Sequence, residues 1–192
     1  MEGVEVMNTN LLSPNKDPMG YAIADYHAKG KAGKLRVFSS QFEEDEIPVA
    51  QLFRTYDEMP ALEQEALQLA QGKILDCGAG SGCHALALQD MGKEVEAIDI
   101  SPRSVEVMQQ RGIKHAYCIN LFDENYLQKF DTILMLMNGS GIVGRVDNFP
   151  CFFGRVRELL RPGGCVLMDS SDLRYLYEDE DQILYFQQLS HH

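Results

Sequence analysis

The segment ILDCGAGSG, residues 74–82, holds three glycines at alternate positions and an aspartate two residues before the first of them. Glycine is unfavourable inside a helix or a strand, by roughly 0.5–1 kcal/mol per residue relative to alanine. The residues KILDC predict a short buried strand before the glycines, and CHALALQDMG predicts a helix after them. A strand, a glycine-rich turn and a helix N-terminus together are a standard site for a nucleotide-like ligand. A tight turn without a ligand is the alternative, although such a turn needs only one glycine.

The spacing of the glycines differs from the dinucleotide fingerprint G-x-G-x-x-G. The first two glycines fit, but Cys83 stands where the third belongs, and the glycine comes one residue early at Gly82. Asp76 also disfavours a pyrophosphate, because a carboxylate would repel it. A second predicted strand, in KEVEAIDIS, ends at Asp99, and an acid at that place can accept hydrogen bonds from both hydroxyls of a ribose. A ligand that carries a positive charge and a ribose fits both aspartates.

Three further segments extend this pattern: VEAIDIS at the second strand, FDTILMLMNG at a fourth strand, and LLRPGG followed by CVLMD at a fifth. In this order, together with ILDCGAGSG, they resemble the motifs of the class I, Rossmann-like, S-adenosylmethionine-dependent methyltransferases. The resemblance covers residues 74–169, about half of the chain, and it is specific for the cofactor rather than for the substrate. The segments DPMGYAIADYHAKG and FRTYDEMP are also similar to an uncharacterised bacterial branch of these enzymes.

The resemblance implies S-adenosyl-L-methionine as the cofactor and S-adenosyl-L-homocysteine as its product. It implies that Asp99 holds the ribose hydroxyls and that Ile100 and Leu121 enclose the adenine. Asn120 would accept a hydrogen bond from the adenine amino group, at a position where many family members carry aspartate. The alternative role for Asp99 is the N-cap of the next helix.

The same resemblance assigns the methionine end of the cofactor to the glycine turn. The backbone of the turn would pass against the methionine and ribose portions, through Gly78, Ala79, Gly80 and Gly82. The following helix would offer its first N–H groups to the cofactor carboxylate. Asp76 would face the cofactor ammonium, directly or through a water, unless it only satisfies amides of the turn.

Met137 and Asn138 follow the fourth strand and complete the predicted cofactor-binding set. Asn138 lies where the methyl group would leave the cofactor, and capping of the loop is its alternative role. Arg54 and Tyr56 are candidates for contacting the cofactor carboxylate, with packing on a helix surface as the alternative. Cys151 is expected to pack in the core rather than to act as a nucleophile. The sulfonium is already an activated methyl donor, so a catalytic base is needed only if the acceptor arrives protonated. The sequence identifies no such base.

The composition of the chain disfavours nucleic acid, a membrane and a metal ion as partners. The chain has 192 residues, 45% of them hydrophobic, and a net charge of −12, which disfavours nucleic acid as a substrate. No apolar run is long enough to cross a membrane, and the acidic N-terminus lacks a signal core, so we expect a cytoplasmic protein without a membrane partner. Five dispersed cysteines without a C-x-x-C pair predict reduced thiols, with no metal site and no disulfide framework.

Residues 1–72 are predicted to form a helical lid. Asp17 and Pro18 begin a first helix, LRVFSS forms a short strand, and PVAQLFRTY forms a second helix. A third helix, PALEQEALQLAQG, should bury Leu62, Ala66 and Leu69 on one face. The large aliphatic residues are too few for a separate core, so we expect this segment to pack over the carboxyl ends of the strands.

Residues 73–192 are predicted to form the cofactor-binding domain. Strands and helices alternate through HAYCI, TILMLM and CVLMDS. Such alternation indicates an α/β fold, a doubly wound and mostly parallel sheet with helices on both faces. The family sheet ends in two further strands, whereas only DLRYLYEDEDQILYFQQLSHH follows the fifth strand here. We therefore expect the C-terminal strands to be missing from a shortened chain, with a minimal fold as the alternative.

These features predict an S-adenosylmethionine-dependent methyltransferase with a small-molecule acceptor. The alternatives are a methyltransferase acting on protein or nucleic acid, a cofactor-binding module without catalysis, and an oxidoreductase. The sequence leaves open the acceptor atom, a general base and the oligomeric state.

Overall fold

The computed structural model describes residues 9–38 and 44–171. The strands in this part of the chain are β1 (Leu35–Val37), β2 (Asp45–Ile47), β3 (Lys73–Cys77), β4 (Glu94–Asp99), β5 (Ala116–Cys118), β6 (Phe130–Met135) and β7 (Leu160–Met168). The α-helices are α1 (Pro18–Lys29), α2 (Ala61–Leu69), α3 (Cys83–Asp90), α4 (Pro102–Gln110) and α5 (Phe149–Leu159). Short 3₁₀ helices occupy Pro14–Lys16, Val49–Phe53, Tyr56–Glu58, Gly139–Val143 and Val146–Asn148.

The central sheet has five strands in the order β5-β4-β3-β6-β7. All four neighbouring pairs are parallel, so the carboxyl ends of the strands meet at one edge. Strand order changes direction between β3 and β6, which is the place where open α/β sheets bind ligands. The glycine-rich turn follows β3 and therefore lies at this switch point.

The core consists of two apolar layers, one on each face of the sheet. On one face, residues of α2, α3 and α4 such as Leu67, Leu88 and Met108 pack against Ile74. On the other face, residues of α5 pack against Leu75 and the inward side of β6. Helices thus cover both faces, and the predicted doubly wound α/β fold is confirmed.

The ends of two helices follow directly from their sequence. The Asp17 carboxylate accepts a hydrogen bond from the Gly20 N–H at 2.8 Å, which caps α1. Ser101 Oγ accepts from the Ser104 N–H at 3.0 Å and caps α4. Ser101 Oγ also donates to the Asp17 carboxylate at 2.7 Å, so the two caps join the N-terminal segment to the sheet domain.

The predicted helix in PVAQLFRTY is wrong, since this stretch forms the 3₁₀ helix Val49–Phe53 and ends at Tyr56, where a second 3₁₀ helix begins. Of the predicted apolar face of α2, only Ala66 packs against the core, where it is partly buried. Leu62 and Leu69 are exposed, whereas Glu63 and Leu67 are buried. Glu63 is buried because Arg54 pairs with its carboxylate, as described below. The acidic stretch after LRVFSS contains β2, which pairs antiparallel with β1.

The predicted absence of C-terminal strands concerns residues 172–192, which lie outside the described residues. Cys151 is exposed on α5, so its predicted core packing is wrong, and Cys165 on β7 is exposed too. All five cysteines are free thiols. No helix in the described ranges combines the length and apolar character that a membrane crossing requires.

Candidate functional site

A cavity of about 580 Å³ lies at the carboxyl edge of the sheet. Its lining comes from six stretches of the described chain: residues 10–12, 77–78, 98–100, 119–122, 141–145 and 148. These stretches include the ends of β3 and β4, the chain after β5, and the loop between β6 and α5. The volume is in the range of small-molecule and cofactor sites.

The glycine turn meets this cavity at its first glycine. Gly78, Gly80 and Gly82 all have left-handed backbone conformations, with φ of 73°, 56° and 80°. Glycine adopts this region without steric cost, so the turn itself requires all three. A Cβ on Gly82 would also collide with Ile113 of the chain after α4. Three glycines are therefore explained by backbone shape and close packing, before any ligand is considered.

The N-terminal segment covers the rest of the turn. Ile23 of α1 lies beside Gly80, whose added Cβ would be 3.9 Å from Ile23 Cδ1. The Ser81 hydroxyl donates to the carbonyl oxygen of Leu52. Ala79, Gly80 and Gly82 do not line the cavity, while Gly78 does.

Asp99 presents its carboxylate at the cavity. Its Oδ2 accepts from the Gly80 N–H and its Oδ1 from the Ser101 N–H, both at 2.8 Å. Each carboxylate oxygen can accept a second hydrogen bond, so the group is oriented and retains acceptor capacity. Burial raises the pKa of Asp99, opposed by the hydrogen bonds from Ser101 and Gly80. The N-cap of α4 is Ser101, which excludes the alternative role of Asp99 as that cap.

Asp76 is buried directly before the glycine turn. Its Oδ2 has no hydrogen-bond partner among the described residues. Burial raises the pKa of Asp76 to about 6, while His84 and the Ala85 amide act in the opposite direction. Asp76 is not part of the cavity lining. A buried carboxylate oxygen without a donor is costly, and a ligand cation would satisfy it.

Ile100, Asn120 and Leu121 all line the cavity next to Asp99. Asn120 Oδ1 accepts from the Phe122 N–H at 3.0 Å, and its Nδ2 donates to the Asn10 carbonyl at 3.1 Å. The side chain of Asn120 thereby holds the N-terminal segment against the cavity. A second bond, from the Leu12 N–H to the Ile100 carbonyl at 2.9 Å, fixes the same segment.

Met137 and Asn138 do not line the cavity. Both have a φ of 62°, an uncommon left-handed conformation for residues with a side chain. They lead into the 3₁₀ helix Gly139–Val143, which does contribute to the cavity wall. Their place in the fold is therefore beside the cavity wall rather than within it.

Arg54 belongs to a buried ion-pair network on the other side of the glycine turn. Arg54 pairs with Glu63, and Glu63 also contacts His84 Nε2 at 2.8 Å. Hydrogen bonds from His84 and Arg54 hold the pKa of Glu63 below its usual value despite the burial that raises it. Tyr56 accepts from Gln68 through its hydroxyl at 2.7 Å. Neither Arg54 nor Tyr56 lines the cavity.

Sequence reasoning missed two parts of the lining, residues 10–12 and residues 141–145. Residues 10–12 precede every motif, and their composition gives no indication of a binding site. The second, in GSGIVGR, has glycines spaced as in a turn, which indicates a loop but not where it lies. Within residues 9–38 and 44–171, no group of three or more His, Cys, Asp or Glu side chains is arranged to hold a metal ion.

Comparison with known proteins gives one family. The sequence profile described as "Methyltransferase domain" matches residues 69–190. A crystal structure of a SAM-dependent methyltransferase from Bacteroides fragilis, in complex with S-adenosyl-L-homocysteine, is 67% identical with a TM-score of 0.87. That alignment covers 93% of this chain and 74% of the Bacteroides protein.

Two more distant proteins are similar to parts of this chain. Malonyl-[acyl-carrier protein] O-methyltransferase from Serratia marcescens is 25% identical over 124 residues, which are 60% of this chain. The chain matches 48%, about half, of the length of that curated relative. The CcbJ methyltransferase from Streptomyces caelestis is 21% identical with a TM-score of 0.51, over 78% of this chain and 56% of that protein, and shows the shared fold.

The family profile covers more than half of the chain, and the Bacteroides fragilis structure carries the demethylated cofactor on a closely similar fold. The chain belongs to the S-adenosylmethionine-dependent methyltransferases.

Proposed function

We propose that this protein transfers a methyl group from S-adenosylmethionine to a small-molecule acceptor. The observation that carries the proposal is Asp99, which lines the cavity and whose two oxygens are each oriented by a backbone N–H. Two adjacent acceptors on one carboxylate match the two neighbouring hydroxyls of a ribose. The fit is supported by the cavity volume and by the unpartnered Oδ2 of Asp76.

The other roles follow from position around Asp99. Ile100 and Leu121 offer apolar surfaces to the adenine, and Asn120 borders the same part of the cavity. Gly78 lets the chain approach the ligand without a side chain. We assign the backbone of Ala79, Gly80 and Gly82 to the methionine end of the cofactor as parts of the same turn, although these three residues lie outside the cavity lining.

Asp76 is assigned to the cofactor ammonium. The charge of an ammonium near Oδ2 would offset the desolvation that now raises the pKa of the carboxyl. Met137 and Asn138 are assigned to the methyl end, since they leave the carboxyl end of β6, the strand next to β3. Each of these assignments is a proposal that a variant can test.

Catalysis by positioning suits the groups present at the cavity. The cofactor supplies a methyl group already activated on a sulfonium. Burial raises the pKa of the Cys77 thiol, which keeps this lining residue protonated and unsuited to act as a nucleophile. The protein then contributes orientation and exclusion of water, for which effective molarities of about 10⁵–10⁸ M are available.

A small acceptor is favoured by charge and by the position of the N-terminal segment. A net charge of −12 opposes binding of a polyanion. Residues 10–12 form part of the cavity wall, and α1 lies on the glycine turn, as a lid would. We propose that residues 9–38 and 44–72 act as this acceptor-side lid.

The test follows labelled methyl groups into a cell extract. The protein is incubated with S-adenosylmethionine carrying a tritiated methyl group and with an extract separated into small-molecule and macromolecular pools. We expect label in the small-molecule pool, and at least about tenfold less at a limiting cofactor concentration when the Asp99→Ala variant replaces the wild type. Label confined to the macromolecular pool, and released by protease or nuclease, would establish a macromolecular acceptor. Cofactor binding without transfer to either pool would support a non-catalytic module.

A further inference from the structure

The loop that leaves β6 contains two consecutive residues in a left-handed conformation. Met137 and Asn138 have φ of 62°, and neither is glycine. Methionine in particular pays a steric cost there, because its Cβ approaches the following carbonyl oxygen. Such a conformation persists only where surrounding contacts impose it.

Asp169, just beyond the end of β7, makes those contacts. Its Oδ2 accepts from the Met137 N–H at 2.9 Å, and its Oδ1 accepts from the Gly139 N–H at 3.0 Å. Its own N–H donates to the Met135 carbonyl at 3.2 Å, and its carbonyl accepts from the Ser140 N–H at 3.4 Å. One residue thus fixes the loop from the last residue of β6 to the first turn of the next 3₁₀ helix.

That 3₁₀ helix forms one wall of the cavity. Gly141, Ile142 and Val143 line it, and Val143 is buried in the core. Ile142 lies against the glycine turn, since a Cβ on Gly78 would be only 2.9 Å from Ile142 Cδ1. The conformation imposed at Met137 and Asn138 therefore determines where Ile142 meets the turn.

We propose that Asp169 is a positioning residue that shapes the cofactor cavity through the loop after β6. Asp169 does not line the cavity, so its influence passes through the backbone N–H groups of Met137 and Gly139. A carboxylate suits this task because it accepts two amides at once, with charge-assisted hydrogen bonds. The proposal rests on the assignment of this cavity to the cofactor.

Asp131 offers a matched control. This aspartate also accepts a backbone N–H, that of Lys73 at 2.7 Å, and it pairs with Arg161 at 2.6 Å. It lies on β6 near the amino edge of the sheet, opposite the cavity. Asp131→Ala removes a comparable carboxylate–amide contact without touching the loop after β6.

The first experiment measures amide hydrogen exchange in the protein without ligand. In Asp169→Ala the amides of residues 137–143 should exchange at least about tenfold faster, as expected when hydrogen bonds to a charged group are lost. The same amides should keep their wild-type rates in Asp131→Ala. Unchanged exchange of residues 137–143 in Asp169→Ala would overturn the proposal, whatever the ligand of the cavity.

The second experiment measures the affinity for S-adenosyl-L-homocysteine by calorimetry. Asp169→Ala should bind about tenfold more weakly than wild type, and Asp131→Ala within about twofold of it. Equal affinities of Asp169→Ala and Asp131→Ala would contradict the positioning role. Failure of the wild type to bind would instead reject the assignment of the cavity to the cofactor. The hydrogen-exchange result would then still test whether Asp169 holds the loop after β6.

A double-mutant cycle separates positioning from general stability. Glycine tolerates the left-handed region, so in Met137→Gly the loop should depend less on the hydrogen bonds to Asp169. The loss of affinity caused by Asp169→Ala should therefore be smaller in the Met137→Gly background, by about threefold. A purely structural Asp169 would give the same loss in both backgrounds.

Discussion

At the residue scale, Asp99 combines fixed geometry with unused acceptor capacity. Backbone N–H groups of Gly80 and Ser101 hold its two oxygens, and the residue lines the cavity. Asp99→Ala should weaken binding of S-adenosyl-L-homocysteine by about 1.5–3 kcal/mol, the usual contribution of hydrogen bonds to a charged group. Calorimetric titration measures this, with circular dichroism to verify the fold. A folded variant with wild-type affinity would mean that Asp99 serves only the turn.

Asp76 gives a pH dependence of stability whose sign is fixed by its raised pKa. The carboxyl has a pKa of about 6 in the folded chain, against an ordinary value of 3.8. The folded state thus binds the proton more tightly, and stability falls as pH rises from about 4 to about 6, then levels off. At neutral pH the ionised carboxyl destabilises the fold by about 3 kcal/mol.

Asp76→Asn should abolish this dependence. The difference in unfolding free energy between variant and wild type should grow in favour of the variant from about pH 4 to about pH 6. Urea denaturation across this range provides the measurement. A constant difference would show that Asp76 keeps an ordinary pKa in the folded protein.

The same carboxyl should release a proton when the cofactor binds. A ligand ammonium favours the ionised form of Asp76, so its pKa falls on binding. Near pH 6, where about half of the Asp76 carboxyls are protonated, titration with S-adenosyl-L-homocysteine in buffers of different ionisation enthalpy should reveal up to about half a proton released. Asp76→Asn should bind more weakly and release none. Equal proton release by both proteins would place the ammonium elsewhere.

At the element scale, α5 supports the cavity floor through a buried arginine. Arg155 Nε donates to the Leu121 carbonyl at 2.8 Å, and the guanidinium also donates to the carbonyls of Asp123 and Tyr126 at 2.7 and 2.6 Å. Arg155→Leu leaves these carbonyls without donors and should lower the free energy of unfolding by about 2–4 kcal/mol. Urea denaturation tests this, and the exposed Arg157 of the same helix provides the control. Arg157→Leu should change stability by less than about 0.5 kcal/mol.

The elements show what the sequence can and cannot predict. Strand β3 was predicted residue for residue, because an apolar run is bounded there by Gly72 and Gly78. The buried face of α2 was predicted wrongly, because Glu63 is buried by Arg54 and His84, which are nine and 21 residues away. Apolar periodicity describes a helix facing a hydrophobic core, and it carries no signal for a buried charge with distant partners.

The cavity shows the same division. The glycine turn and Asp99 were found from two neighbouring segments, ILDCGAGSG and KEVEAIDIS, since a turn and the end of the next strand are local features. The N-terminal wall, Asn10 and Leu12, depends on bonds to Asn120 and Ile100 that are about a hundred residues distant in the chain. Sequence patterns predict local units such as a strand, a turn and the following helix. Contacts between residues about a hundred positions apart become visible only in the folded chain.

At the scale of the whole molecule, charge should distinguish the cofactor from its product. The protein has a net charge of −12, and S-adenosylmethionine carries one positive charge more than S-adenosyl-L-homocysteine. Raising the salt from about 0.01 M to about 0.1 M shortens the screening length from about 30 to about 10 Å. The affinity for the methyl donor should fall by about threefold, while that for the product stays nearly constant. Parallel salt dependences for both ligands would contradict this.

The hydrogen bonds that tie residues 10–12 to the cavity wall bear on how long a ligand stays bound. Asn120 and Ile100 border the cavity and also hold this segment. Detachment of the segment breaks at least these two hydrogen bonds, each with a net contribution of about 1 kcal/mol. In the proposed cofactor site, exit of the product on this side would require local opening of the chain, and product release limits turnover in many enzymes. We therefore expect the residence time of the product, unlike the recognition of the cofactor, to depend on residues 10–12, a segment that precedes the first helix.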